Sequence, residues 1–152
     1  MKVEEFRDVV ASWHADEITD GDVVQAAGEL VVAGVDGPAV STLAATSLQH
    51  AQEEMPPLLG DALGELGLEH HEHGTDGGRT EALRLMARRT LAGQMAPREL
   101  ARWVRRKLGS SLPEAEKLAY MDGAYRTLDY RPGLSEADVD FQVMAEVRRL
   151  TS

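Results

Sequence analysis

The chain contains no cysteine. That excludes a disulfide framework, a thiolate nucleophile and any cysteine-ligated zinc or iron-sulfur centre. It also lacks a long apolar run, since no stretch offers the roughly eighteen consecutive apolar residues of a membrane span. The opening MKVEEFRDVVAS places Glu4, Glu5 and Asp8 where a secretory leader needs apolar residues. The expectation is a cytoplasmic protein with no membrane partner. Bases are scarce in the first half alone: residues 1–78 hold two against sixteen acids, and residues 79–152 hold fourteen against ten. The halves carry formal charges of minus fourteen and plus four, which together give the chain its minus ten. Such asymmetry bears on encounter and docking rather than on fold. Either the halves face each other, or one of them meets a partner.

What is abundant is helical periodicity, with apolar residues recurring at steps of three and four. VEEFRDVVASWH puts Val3, Phe6, Val9, Val10 and Trp13 on one face, with Glu4, Glu5 and Asp8 opposite. TDGD at Thr19 offers a hydroxyl cap with an acid three residues on, and that second helix ends at Gly34. Pro38 starts a third. A break is expected at Pro56 and Pro57, followed by a stripe of Leu59, Leu63 and Leu66. Four more helices follow Gly78. A shift of 77 residues lays Phe6 on Leu83, Val23 on Leu100 and Val31 on Leu108, and a shift of 75 lays Gly34 on Gly109 and Pro38 on Pro113. The boundary signals recur as well as the apolar ones. The expected fold is therefore all-α, with about eight helices in two pseudo-repeated four-helix units packed as one compact bundle. It is read as a single domain over 1–152, with sub-units 1–67 and 79–152 joined by a linker at 68–78.

That linker, LEHHEHGTDGG, packs three of the five histidines beside two glutamates before Gly74, Gly77 and Gly78. Its first reading is a connection whose glycines relax the backbone. As a metal site it offers His70, His71 and His73, but neither HExxH nor the ExxH pair of di-iron bundles is present. No metal and no cofactor is assigned. His14 and His50 each precede a glutamate by three residues and are read as packing residues. GxSxG, GxxxxGK and GxGxxG are missing, so no catalytic residue is named. Tyr120, Tyr125 and Tyr130 with Asp122 and Asp129 form the densest polar-aromatic cluster. There Leu118, Met121, Tyr125 and Leu128 fit a core stripe that leaves Tyr120 and Asp122 near the surface. A helical metalloprotein or enzyme built on the His/Glu or Tyr/Asp groups is the alternative class.

PRELARWVRRKL carries Leu100, Trp103, Val104 and Leu108 on one side and Arg98, Arg102, Arg105 and Arg106 on the other. Read sharply, this strip binds nucleic acid; the plainer reading pairs it with the protein's own acids, such as Asp61, Glu65 or Glu69. With no interleaved aromatics for base stacking, the plainer reading is preferred.

LAGQMAPRELARW and GVDGPAVSTLAA resemble segments of small uncharacterised helical proteins from GC-rich bacteria. Arginine's thirteen-to-three lead over lysine, the single Ile18 and the absence of asparagine fit such a genome. This resemblance implies an all-helical fold and no activity. In type, a small acidic helical chain without catalytic residues also resembles immunity proteins and antitoxins, which meet cationic partners with carboxylates. The leading expectation is thus a non-enzymatic binding protein, immunity-like, that inhibits or regulates a basic protein partner. The contacts expected are Glu4, Glu5, Asp8, Asp16, Glu17, Asp20 and Asp22.

Overall fold

The computed structural model describes residues 1–35, 37–109 and 111–152, and among them the chain is all helical, with no strand. Eight α-helices appear in this order: α1 Val3–His14, α2 Asp20–Val32, α3 Pro38–Ala44, α4 Ala51–Glu65, α5 Asp76–Leu91, α6 Pro97–Lys107, α7 Glu116–Arg126 and α8 Glu136–Thr151. Short 3-10 turns precede α4, α7 and α8. The chain divides into two compact units, Met1–Gly78 and Arg79–Ser152. The punctuation repeated in the sequence becomes helix starts. α2 and α6 begin 77 residues apart, at Asp20 and Pro97, and Pro38 and Pro113 open α3 and the turn before α7.

In the first unit α2 is central, packing against α1, α3 and α4. Phe6, Val23, Leu30, Leu43, Met55 and Leu59 are wholly buried there. Each such side chain contributes about 1.5–3 kcal/mol by leaving water. The start of α2 is fixed by a reciprocal capping box, in which the Asp22 amide donates to Thr19 Oγ1 at 3.2 Å and the Thr19 amide donates to Asp22 Oδ2 at 2.9 Å. α3 has no such cap of its own, because the residue before it is Gly37. Glu65 at the end of α4 supplies one instead, accepting the amides of Ala39 and Val40 at 3.1 and 2.8 Å. A Cβ at position 37 would overlap that carboxylate, so glycine here makes room for a cap from another helix.

α4 corrects the expected break at Pro56 and Pro57, since both lie inside it. Their missing N–H groups would have bonded the carbonyls of Gln52 and Glu53, one turn back. Both carbonyls belong to the first turn of α4, on residues that are exposed, where solvent can replace a missing donor, and the helix continues.

In the second unit α6, α7 and α8 pack mutually, burying Leu100, Val104, Leu118, Val143 and Val147. α8 opens with the same device as α2: Ser135 and Asp138 form a capping box, and the Ser135 bonds hold the Asp138 carboxyl below its ordinary range. Asp122 corrects a second expectation, being buried where the surface was expected. Its charge is met by Arg126 at 3.3 Å and Arg105 at 3.6 Å. Glu146 is buried likewise, against Arg149 and Lys117.

Candidate functional site

The end of α1 builds the most distinctive surface in the chain. α1 closes in a Schellman pattern, with the Asp16 amide donating to the Trp13 carbonyl at 3.1 Å and the Glu17 amide to the Ser12 carbonyl at 3.0 Å. The residue that must turn left-handed in this motif is usually glycine, as Gly34 is after α2 at φ 86°. After α1 it is Asp16, at φ 61°, the one non-glycine with positive φ among the described residues. The helix therefore ends on a carboxylate at a position where a side chain is a steric cost.

That carboxylate borders a cleft of about 650 Å³ within the first unit, lined by Trp13, Asp16, Ile18, Thr19, Asp20, Gly21, Leu48, Gln49, Ala51, Gln52, Pro56 and His73. Trp13 is almost wholly buried, and its indole Nε1–H reaches Asp20 Oδ1 at 2.6 Å. His73 lies over it with ring centroids 5.0 Å apart, and His73 Nε2 is 2.7 Å from Asp16 Oδ1. Each carboxylate is thus held through Oδ1 by an aromatic nitrogen, and its Oδ2 accepts no hydrogen bond among the described residues. Ile18, Ala51, Pro56 and the exposed Leu48 supply apolar wall. No lysine or arginine lines the cleft. The arrangement suits a cation on an apolar stem.

Behind the wall lies His14, 8% exposed, its ring tilted against Trp13 at 4.9 Å and stacked with His73 at 6.1 Å. Its Nδ1 is buried without a hydrogen-bond partner. Burial, followed by the charges of His73, His71 and His70 and against the pull of Asp16, lowers its pKa to about 4. The ring is therefore neutral at pH 7. Gly78 explains how it fits, because a Cβ there would come within 2.6 Å of His14 Nδ1, and one on Gly77 would overlap the His71 ring. Only Gly74 of the three glycines in this stretch takes a positive φ. Gly77 and Gly78 are helical, and they make space for rings instead of relaxing the backbone.

The expected contacts separate on this framework. Asp16 and Asp20 meet at the cleft. Glu4, Glu5, Asp8 and Glu17 lie outside its lining, and Asp22 is committed to the α2 cap. The histidine stretch does more than connect, since Leu68 packs on the first core and His73 closes the cleft. As metal ligands its members diverge: His70 lies beside Gly60, His71 pairs with Glu69 at 3.5 Å and His73 turns to Asp16.

Nor do the tyrosines and aspartates of the second unit form one site. Burial, together with the bond that its hydroxyl donates to Asp140, pushes the Tyr125 pKa well above the ordinary tyrosine value. Tyr120 and Tyr130 are exposed. The basic strip finds partners in its own unit. Arg98 lies 3.6 Å from Glu136 and over the Tyr125 ring, and Arg105 reaches Asp122. Glu65 caps α3, and Glu69 lies 3.5 Å from His71.

No helix among the described residues is long and apolar enough to cross a membrane. No protein-family model, curated protein or solved structure matches this chain.

Proposed function

We propose that this chain is a non-enzymatic binding protein, immunity-like in type, which inhibits or regulates a basic protein partner through its first unit. The observation that carries this reading is the cleft, where Asp16 and Asp20 stand with one oxygen fixed and one uncommitted, and neither lysine nor arginine is among the described residues that line it. The wider charge agrees, since Lys2 and Arg7 are the only bases among the sixteen acids of residues 1–78. Buried acids of the second unit, by contrast, are met by that unit's own arginines and lysine. A surface so charged raises the association rate of a cationic partner and makes it salt dependent.

The test is capture of the partner from the source cell, followed by titration at low and physiological salt against wild type and Glu4→Lys/Glu5→Lys. Affinity should fall with salt and fall again with charge reversal. Affinity indifferent to both overturns the reading.

A further inference from the structure

Resting on that reading, we propose that the cleft beside Trp13 is the seat of a single arginine side chain from the partner, its guanidinium taken by Asp16 and Asp20 and its methylene stem laid along Leu48 and Pro56. The set of acceptors favours a guanidinium over other cations. The two available acceptors are Oδ2 atoms of different residues, each carboxylate already oriented through Oδ1 by Trp13 Nε1 or His73 Nε2. A planar fork of five donors can bond two separate carboxylates at once, whereas an ammonium acts as a compact point charge that holds its water more strongly. The carboxylates are also fixed before the ligand arrives, which spares the side-chain ordering that a flexible acidic surface must undergo on binding.

The apolar wall is the independent sign that a stem belongs there. Leu48 is 55% exposed, and it lies in the lining beside Pro56 instead of on an isolated stretch of surface. Together these put apolar surface for a methylene stem in the same cleft as the two carboxylates. Asp16 adds a positional argument, since it occupies a left-handed residue where glycine would be easier.

The probe is N-acetylarginine amide, whose guanidinium is its only charge, with the uncharged isostere N-acetylcitrulline amide as control. The Trp13 indole N–H resonance reports on the cleft directly, because that proton lies in the bond to Asp20. Arginine probe should shift it saturably and leave the Trp103 indole unmoved; citrulline should do neither. Asp20→Asn retains an oxygen for the indole N–H, and asparagine tolerates the left-handed backbone at position 16, so both amide variants keep the cleft's shape. Each should weaken the arginine probe by at least about tenfold, the size expected when a hydrogen bond to a charged group is lost. Glu29→Gln, exposed on α2 and outside the cleft, should leave its affinity within about twofold. An unmoved Trp13 signal, an equal response to citrulline, or unchanged affinity in both amide variants overturns the arginine seat. If the captured partner still binds with salt-dependent affinity in the Asp16→Asn/Asp20→Asn protein, the seat falls and the basic-partner reading stands. Partner binding indifferent to salt and charge reversal removes the reading itself.

Discussion

His73 Nε2 and Asp16 Oδ1 lie 2.7 Å apart across 57 residues of sequence, and this bond ties the histidine stretch to the end of α1. It gives the stretch a place in the first unit that spacing along the chain does not suggest. It also shields His14, whose ring stacks on the inner side of His73.

The buried His14 makes stability depend on pH in a defined window. Its pKa falls from 6.5 to about 4 on folding, so between those values the unfolded chain binds the extra proton. Stability contributed by the neutral ring is complete above pH 6.5 and is lost as pH falls toward 4, with an upper bound of about 3 kcal/mol. His14→Phe retains a ring against Trp13 and cannot titrate. Chemical denaturation from pH 7 to 4 should show a steeper loss for wild type than for the variant; parallel curves would show that His14 is not the group responsible.

Gly77 and Gly78 should respond unequally to alanine. Alanine is the better helix former at both, though in the first turn of α5 the gain is below the about 0.5–1 kcal/mol of a mid-helix position. At Gly77 the new Cβ meets His71, which is half-buried and can swing outward. The two effects then cancel to within about 1 kcal/mol. At Gly78 it meets His14, which is enclosed, and the backbone carbonyl of Glu72 at 3.0 Å. Overpacking of that kind costs about 1–3 kcal/mol. Thermal melts should rank Gly78→Ala well below Gly77→Ala, and His14→Ala should recover part of the difference in a double-mutant cycle.

The arginine strip divides in the same way. Arg102 is exposed and makes no ion pair among the described residues, so Arg102→Glu should change stability by no more than about 0.5 kcal/mol. Arg105 lies 3.6 Å from the buried Asp122. Arg105→Glu sets a second carboxylate beside it and leaves Arg126 as its partner at 3.3 Å. With Arg105 half-exposed, solvent screening holds the cost to about 1–2 kcal/mol. Equal melting temperatures for the two variants would show that Asp122 does not rely on Arg105.

The helices were readable in the sequence because their signals are local. Thr19 with Asp22, Pro38 and Pro97 each mark a start within a few residues of the helix they open, and the apolar period marks the buried face. The cleft was not readable, because every relation that makes it crosses between elements. Trp13 reads as one more apolar member of the α1 stripe, and nothing nearby reveals that its indole N–H turns to Asp20. His73 reads as a possible metal ligand, and its actual partner lies at the far end of the unit. Asp122 failed for a related reason. A carboxylate beside an apolar stripe looks solvent-facing until Arg105 and Arg126 are seen to converge on it. Pro56 and Pro57 looked like a break because sequence does not show that Gln52 and Glu53, whose carbonyls lose a donor, are exposed.

Asp16 carries the clearest conflict between fold and function, and substitutions there should separate the two. Aspartate at φ 61° is strained by about 1–2 kcal/mol relative to glycine, and the bond to His73, between partly exposed groups, returns about 0–1 kcal/mol. Asp16→Gly removes both and should leave stability within about 1 kcal/mol of wild type, or raise it. Asp16→Ala keeps the strain and loses the bond, so it should be the least stable of the three. Both remove an acceptor from the cleft, and both should weaken the arginine probe at the Trp13 indole by at least about tenfold. Thermal denaturation and the probe titration on the same three proteins decide the matter. If Asp16→Gly is as stable as wild type and still takes the probe at full affinity, the carboxylate has no role in the cleft, and its presence at a glycine position is left without a functional cause.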